Sequence, residues 1–298
     1  MENFILIFLL LILGILFGYL SIFPKDAALT LNLYVIYISL PAVVLLNIPK
    51  LTFSKDVVIP LILPWIMLLL SVILVLILSR AFSWSRSLTG GLLLIVPLGN
   101  TSFLGIPMVK AYFGTDHIPY AILYDQFGTF LALSTYGSAI IAIYGGMGKA
   151  RVGHIVKKVF TFPPFIALIL ALVIKDRFYS ADIIKVLEML AQTLVPVVMF
   201  AVGLQIKLKT SSTSMLPIGT GLLIKLIIAP FTALFICKIF GLNSEAVRVS
   251  IFEAGMGPMI TASALAIAAD FEGEVMASMT ALGLVLSFLT LPIIFQFI

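Results

Sequence analysis

Two hydrophobic segments of this chain, at residues 90–113 and 246–270, are each interrupted near mid-length by glycine, proline and small polar residues. The interrupting prolines and glycines are Pro97, Gly99, Gly105 and Pro107 in the first segment and Gly255, Gly257 and Pro258 in the second. Proline removes a backbone donor and clashes with the preceding turn, and glycine lets the chain leave helical geometry. Neither segment can therefore be a straight helix throughout, and we expect these residues to shape two breaks.

The rest of the chain has the composition of a membrane protein. Hydrophobic residues make up 62% of its 298 residues, charged residues make up 10%, and the mean hydropathy is +1.23. A transmembrane helix needs roughly 20 residues. Apolar windows of similar length fall at 4–23, 27–48, 57–79, 89–113, 118–144, 159–175, 190–206, 213–239, 246–270 and 274–297. The pattern predicts an all-α polytopic membrane protein with about ten transmembrane helices. We expect the first window to be a retained helix, because it is too long for a signal peptide.

Backbone breaks are informative inside a membrane, where hydrocarbon cannot satisfy freed N–H and C=O groups. Such breaks persist only where protein or a water-lined cavity surrounds them. A matching pair of broken segments in two halves of a chain is typical of the binding site of a secondary transporter. The sequence therefore predicts a transporter whose substrate binds where the two breaks meet.

The two broken segments also belong to a longer internal repeat. An offset of 158 residues aligns Phe82 with Phe240 and Gly99 with Gly257. We therefore predict a first five-helix repeat at 1–144, a basic cytoplasmic linker at 145–158 and a second repeat at 159–298. Because five is odd, the second repeat must enter the membrane from the opposite side, which gives inverted-topology repeats.

Loop charges predict the orientation. If the N-terminus lies outside the cell, the cytoplasmic loops hold nine Lys and Arg residues and the outer loops hold seven. Four of the nine fall in the stretch 149–158, which is typical of a cytoplasmic loop. We therefore expect a multi-pass protein of the cell membrane with both termini outside. The polar stretch 180–189 has apolar residues at helical spacing and predicts a short amphipathic helix at the interface, with Ser180 as its N-cap.

Charge and metal-ligand composition argue against several other classes of partner. The net charge is +5, but no Lys/Arg cluster exceeds what a membrane-facing loop carries, so no nucleic-acid partner is expected. Cys237 is the single cysteine and stands in an apolar run, which excludes a cysteine-based metal site. His117 and His154 are the two histidines and both stand at loop edges. No cofactor is expected.

Four motifs in order resemble the auxin efflux carrier family: Leu40-Pro41-Ala42, the stretch from Gly99 to Pro107, the stretch from Pro196 to Leu204, and the stretch from Ala254 to Pro258. The resemblance covers essentially the whole chain. It implies ten helices in two inverted repeats, with the fourth and ninth helices broken where they cross, an arrangement similar to that of sodium/bile-acid symporters. It also implies that windows 1, 2, 6 and 7 form one unit and the other windows a second unit.

The same resemblance implies an organic-anion substrate. Members of the family carry anions such as auxin, and bacterial relatives are assigned to malate or malonate. This chain lacks the long central hydrophilic loop of the plant-type members, so it resembles a short, bacterial-type member. Expected partners are therefore a small organic anion and the lipid bilayer, with a homodimer as a further possible partner.

A carboxylate substrate needs hydrogen-bond donors, which broken helices supply at their half-helix N-termini. The side chains expected to add donors near the breaks are Asn100, Thr101, Ser102, Thr261 and Ser263. The alternative for Asn100 is a capping role within the break. The alternative for the Ser and Thr residues is helix packing without ligand contact.

Asp125, Lys225 and Glu253 lie well inside apolar windows, where an ionisable side chain is expensive and normally marks an ion or substrate pathway. We expect Lys225 to offer positive charge to the substrate and Asp125 or Glu253 to hold a coupling ion, with Gln126 beside them. Either H+ on a carboxylate or Na+ in a cage of oxygens fits these residues, and some family members are thought to work without coupling. The alternative is a structural ion pair that locks helices.

Two other function classes compete with a transporter. An intramembrane enzyme would use Asp125 and Glu253 as paired acids, but the chain has no nucleophile elbow and no His-Glu-x-x-His motif. An ion channel would also use broken helices, to line a selectivity filter. We therefore expect no enzyme, and saturable flux with substrate exchange would distinguish a carrier from a channel.

Overall fold

The computed structural model describes residues 2–51, 55–145, 152–174, 180–206 and 215–298. The predicted linker at 145–158 and several of the charged loop residues lie partly outside these ranges. The α-helices of the described residues are α1 (Glu2–Tyr19), α2 (Ala27–Tyr34), α3 (Leu40–Asn47), α4 (Ile59–Ala81), α5 (Arg86–Ile95), α6 (Ile106–Phe113), α7 (Ile118–Leu123), α8 (Ser138–Tyr144), α9 (Val152–Phe160), α10 (Pro163–Ile174), α11 (Ala181–Gln192), α12 (Leu194–Gln205), α13 (Met215–Leu223), α14 (Ala229–Ile239), α15 (Glu245–Ala254), α16 (Ile260–Ala268) and α17 (Gly273–Phe297).

Several of these helices join end to end into segments long and apolar enough to cross a membrane. In the described ranges there are seven such segments: Glu2–Tyr19, Ala27–Lys50, Lys55–Ala81, Thr115–Tyr144, Ala181–Gln205, Met215–Ile239 and Gly273–Phe297. The windows at 89–113 and 246–270 do not appear among them because each is divided into shorter helices. The window at 159–175 contains only the 12-residue α10, which begins at Pro163. The chain is thus a multi-pass all-helical protein, and the number of ten helices and the inverted repeats stay predictions.

Short π-helical turns interrupt the helical segments, and four of the five in the described residues lie within the long segments. They lie at Val35–Ser39, Thr101–Gly105, Tyr124–Phe130, Leu133–Gly137 and Ile224–Ile228. Three of them precede a proline that cannot donate a backbone hydrogen bond: Pro41 in α3, Pro107 in α6 and Pro230 in α14. A π turn inserts one extra residue into a helix and is frequent at functional sites.

Backbone contacts divide the chain into two compact units, each assembled from both halves of the sequence. The first unit contains the described residues of Met1–Ser54, Ser102–Ile122 and Lys157–Ile206. The second contains those of Lys55–Thr101, Leu123–Val156 and Lys207–Ile298. Windows 1, 2, 6 and 7 fall in the first unit, as the family resemblance implies, whereas window 4 is divided between the units after Thr101 and window 5 after Ile122. These units differ from the predicted repeats at 1–144 and 159–298, which are consecutive halves of the sequence. The repeats stay a prediction.

In the first unit, α1 packs along α12 through two glycines. A Cβ atom added to Gly14 would lie 2.9 Å from the Cα atom of Gly203, so the two backbones are in direct contact. Nearby, α10 and α11 pack against α3. The hydroxyls of Ser39 and Thr193 are joined by a hydrogen bond of 2.7 Å. These contacts hold the helices of the first unit in a fixed arrangement.

The predicted helix at 180–189 is confirmed, with a different end. Ser180 Oγ accepts a hydrogen bond from the backbone N–H of Ile183 at 3.3 Å, which is the expected N-cap. The helix α11 then runs to Gln192 and continues through Thr193 into α12, so both belong to one 25-residue segment. The position of α11 along a membrane interface stays a prediction.

In the second unit, α5 lies at the centre of the hydrophobic core. Every residue of α5 from Thr89 to Ile95 is buried, which is expected of a helix that is apolar on all sides. Residues of α13, α16 and α17 join this core. The hydroxyl of Tyr136 donates to the carbonyl oxygen of Leu93 at 2.7 Å. The core therefore fixes the end of α5, where the first break begins.

Candidate functional site

The two predicted breaks are confirmed, and they pair with each other. The helix α5 ends at Ile95, α15 ends at Ala254, and α16 begins at Ile260. Between these helix ends, the backbone N–H of Asn100 donates to the carbonyl oxygen of Gly257 at 2.8 Å. The backbone N–H of Met259 donates to the carbonyl oxygen of Leu98 at 3.0 Å. The antiparallel bridge between Gly99 and Pro258 satisfies backbone groups that the breaks would otherwise leave unpaired.

Close packing between the second break and α17 explains why both Gly257 and Gly283 are glycines. A Cβ atom added to Gly257 would lie 2.5 Å from Ser287 Oγ and 2.8 Å from the carbonyl oxygen of Gly283. A Cβ atom added to Gly283 would lie 2.9 Å from Pro258 Cγ. A methyl group has no room at either position, so the second break can approach α17 only because these residues are glycines.

The other predicted break residues have local roles. Pro97 lies within the first break, and Gly255 closes α15 by donating its N–H to the carbonyl oxygen of Phe252 at 3.1 Å. Gly105 and Pro107 lie further along, where the π turn Thr101–Gly105 passes into α6. Pro107 occupies the first turn of α6, where a missing N–H costs nothing.

Asn100 lies at the pairing of the two breaks with its side-chain donor unused. The residue is 3% exposed, and its Nδ2 atom has no hydrogen-bond partner among the described residues. An unpaired buried donor costs about 1–3 kcal/mol, so most buried donors in proteins have a partner. The capping alternative accounts for the backbone N–H of Asn100 and leaves the side-chain amide without an explanation.

The next residue, Thr101, is linked to Asp125. Its hydroxyl donates to Asp125 Oδ1 at 2.6 Å, and Gln126 Nε2 donates to Asp125 Oδ2 at 2.7 Å. The three residues are each 1% exposed. Asp125 and Gln126 are neighbours in the π turn Tyr124–Phe130, which places both side chains in the interior. Gln126 Oε1 keeps no partner in the described part of the chain.

Lys225 and Glu253 are buried near the same break without a direct salt bridge. Lys225 is 4% exposed, and a Cβ atom added to Gly99 would lie 3.1 Å from its Nζ atom. Glu253 is completely buried, and neither of its carboxylate oxygens has a hydrogen-bond partner within the described ranges. The charge of Glu253 interacts with those of Asp125 and Lys225, so the three ionisable groups lie in one region.

Three further predicted donors lie on α16 or in the π turn Thr101–Gly105. Thr261 is exposed on α16, and Ser263 is buried on the same helix. The side-chain amide of Asn100 donates to neither hydroxyl in the described part of the chain. Ser102 is half-buried and belongs to the first unit, whereas the three ionisable groups belong to the second. Their roles as substrate ligands stay predictions.

A small cavity lies beside the first break. Its volume is about 10 Å³, and Pro97, Gly99, Tyr124, Thr129 and Lys225 are among the residues that line it. That is about the space needed for one water molecule. Tyr124 is 3% exposed and lines this cavity, so it belongs to the site.

The unpaired acceptors of the site are side-chain oxygens. In the described ranges, no group of three or more His, Cys, Asp and Glu side chains is placed to hold a metal ion. The unpaired acceptors are the oxygens of Glu253 and Gln126 Oε1. Oxygen ligands of this kind suit hard cations.

Comparison with known families identifies the general role of this arrangement. The profile of the membrane transport protein family, which is auxin efflux carrier-like, matches residues 1–295. The chain belongs to this family. Membrane transport is therefore its general role, and the family assignment implies that it is not an enzyme.

Two archaeal relatives support the assignment. An uncharacterized transporter of Methanocaldococcus jannaschii is 26% identical over 267 residues, which cover 86% of this chain and 85% of the relative. An uncharacterized transporter of Methanothermobacter thermautotrophicus is 26% identical over 295 residues, covering 98% and 96%. Similarity along nearly the whole chain shows that the paired breaks belong to a transporter.

Proposed function

We propose that this membrane transport protein is a secondary transporter that carries a small organic anion across the cell membrane by alternating access. The observation that carries the proposal is the unused Nδ2 donor of Asn100 at the point where the two breaks pair. A substrate carboxylate would accept a hydrogen bond from this donor and remove the cost of leaving it unpaired.

Lys225 supports an anion as the substrate. It is buried beside Gly99, and no carboxylate of the described residues lies within salt-bridge distance of its amine. A buried ammonium that forms no direct ion pair is costly, and a substrate carboxylate would supply a direct partner. Malate and malonate are the substrates that we favour, and an auxin-like anion is the alternative within the wider family.

The size of the cavity supports alternating access. A space of about 10 Å³ beside the first break cannot hold a dicarboxylate. Substrate binding therefore needs a second conformation in which the space next to Asn100 and Lys225 is larger. Breaks that pair through only two backbone hydrogen bonds are suited to such a change, because discontinuous helices form the sites of many alternating-access transporters.

Glu253 is the residue that we propose for ion coupling. Both of its oxygens lack partners, whereas both oxygens of Asp125 accept hydrogen bonds. A buried carboxyl group in this state needs a proton or a cation. We favour a proton, because a proton leaves this completely buried carboxyl group without net charge and needs no cage of further oxygen ligands.

The experiment is uptake of radiolabelled malonate and malate into proteoliposomes that contain the purified protein. We expect saturable uptake, exchange of internal labelled substrate for external unlabelled substrate, and faster uptake when the external pH is lowered. Single-channel currents without exchange would instead support a channel. Uptake that depends on sodium and not on pH would contradict proton coupling, and the absence of uptake for every carboxylate would contradict the anion proposal.

A further inference from the structure

A second cavity lies within the first unit and has no part in the paired breaks. Its volume is about 300 Å³, at the lower end of the range for small-molecule sites. It is formed by the C-terminal end of α3, α6 with the turn that follows it, and α11 with the beginning of α12. The lining residues are Val43, Leu46, Asn47, Lys50, Ile106, Lys110, Thr115, Ile118, Glu188, Ala191, Gln192, Leu194 and Val195.

The interior of this cavity is apolar. Val43 is 4% exposed, Ile106 is 1% exposed and Leu194 is 2% exposed, so all three belong to the packed interior of the unit. Asn47 adds a polar group, but its Nδ2 atom already donates to the carbonyl oxygen of Val43 at 2.7 Å. The inner part of the cavity therefore suits the hydrocarbon part of a ligand.

The outer part of the cavity is positively charged. Lys50 and Lys110 line it from different elements, and Lys110 is half-buried. Glu188 is the single carboxylate in the lining, and it lies beyond salt-bridge distance of both amines. The carboxylate of Asp116 and the imidazole of His117 follow Thr115 in sequence but do not line the cavity. Two lysines against one glutamate leave the lining with a net positive charge.

We propose that this cavity, which we call the Lys50/Lys110 cavity, binds an anion that carries an apolar body. The anionic group, a carboxylate or a phosphate, contacts the amines of Lys50 and Lys110. The apolar body packs on Val43, Ile106 and Leu194. A volume of about 300 Å³, at the lower end of the range for small-molecule sites, fits a short-chain amphipathic anion or the upper part of an anionic lipid.

This site is independent of the proposed transport site. Its lining residues all belong to the first unit, whereas Asn100, Asp125, Lys225 and Glu253 belong to the second. The apolar interior of the cavity also distinguishes the two sites chemically, because malonate has no apolar body to bury. The Lys50/Lys110 cavity should therefore prefer hexanoate over malonate.

The test is isothermal titration of the full-length purified protein with hexanoate, with the neutral analogue 1-hexanol as the matched probe. We expect saturable hexanoate binding and weaker binding of hexanol. In the double variant Lys50→Gln/Lys110→Gln, hexanoate affinity should fall about tenfold, since each exposed charge contact changes affinity by a few fold. The control Lys185→Gln changes an exposed lysine of α11 outside the lining and should bind hexanoate like the wild type.

A second variant keeps the test decisive if the double variant folds poorly. Glu188→Gln removes the single carboxylate from the lining and should tighten hexanoate binding about threefold. A gain in affinity cannot result from unfolding. Hexanoate affinity that is unchanged in Glu188→Gln and in the double variant would overturn the proposal, as would equal affinity for hexanoate and hexanol.

Competition distinguishes the two sources of the anion. Dihexanoyl phosphatidylglycerol and dihexanoyl phosphatidylcholine have the same acyl chains and differ in net charge. If dihexanoyl phosphatidylglycerol displaces hexanoate and dihexanoyl phosphatidylcholine does not, the occupant is an anionic lipid. If neither lipid displaces hexanoate, the occupant is a free amphipathic anion. Equal displacement by both lipids would show that the site does not recognise charge, which would contradict the proposal.

Discussion

The hydroxyl of Thr101 lies 2.6 Å from Asp125 Oδ1 and ties the first break to the π turn of the following segment. This contact connects two features that the membrane makes costly, an interrupted helix and a buried carboxylate. Gln126 completes the arrangement at the second oxygen of Asp125. The break is therefore held in place by side chains as well as by its backbone bonds to the second break.

The Thr101 contact should contribute to stability. Thr101→Val keeps the shape of the side chain and removes the donor, so one oxygen of a buried Asp125 loses its partner. We expect the protein to lose about 1–3 kcal/mol of stability, measured by thermal unfolding in detergent, and Thr101→Ser to recover most of it. Thr220→Val is the control, because that hydroxyl bonds within its own helix to Leu216 at 2.8 Å. Equal effects at both positions would contradict this account.

Gly257→Ala should destabilise the second break. The added methyl group would lie 2.5 Å from Ser287 Oγ and 2.8 Å from the carbonyl oxygen of Gly283. We expect a loss of about 1–3 kcal/mol, typical of an overpacked interior, and a lower unfolding temperature. Gly219→Ala is the matched control, since no atom lies within 4 Å of its added Cβ and alanine favours a helix by about 0.5–1 kcal/mol. Opposite shifts are expected, and a stabilised Gly257→Ala would refute the packing argument.

Glu253→Gln should separate transport from proton coupling. The variant keeps the shape of the side chain and cannot release a proton, so uptake should no longer speed up when the external pH falls. Exchange of labelled for unlabelled substrate should persist, because exchange needs no net movement of the coupling ion. Glu274→Gln changes an exposed carboxylate in the first turn of α17 and should keep the wild-type pH profile. A wild-type profile in Glu253→Gln would remove Glu253 from the coupling mechanism.

The predicted orientation can be measured by cysteine labelling on intact cells. In a Cys237→Ser background, Asn243→Cys and Ser83→Cys each place one thiol at an exposed position in a loop. With both termini outside, a membrane-impermeant maleimide should label residue 243 and leave residue 83 unlabelled until the cells are opened. The reverse pattern would show that the termini lie inside.

Much of the fold could be predicted because the relevant signals are local in sequence. The two breaks follow from clustered proline and glycine, whose backbone effects act within one turn of a helix. The N-cap at Ser180 follows from a hydroxyl placed just before an amphipathic pattern. The length of the segment that α11 begins was not predicted, because the polar residues of α11 separated it from the apolar window at 190–206.

The composition of the site could be predicted only in part. Burial of Asn100, Asp125 and Glu253 follows from polar residues within apolar windows, since such residues normally face the protein interior. The contact of Thr101 with Asp125, the approach of Lys225 to Gly99 and the packing of Gly257 on α17 join residues that are distant in sequence. The periodicity of a sequence carries no information about such contacts.

The most direct test of the account is malonate binding by the purified Asn100→Ala variant. Loss of a hydrogen bond to a charged ligand costs about 1.5–3 kcal/mol, so we predict at least a tenfold weaker affinity than that of the wild type, measured by titration calorimetry. Asn32→Ala removes another buried asparagine, in α2 of the first unit, and should bind malonate like the wild type. If Asn100→Ala binds malonate as tightly as the wild type, the paired breaks are not the carboxylate site.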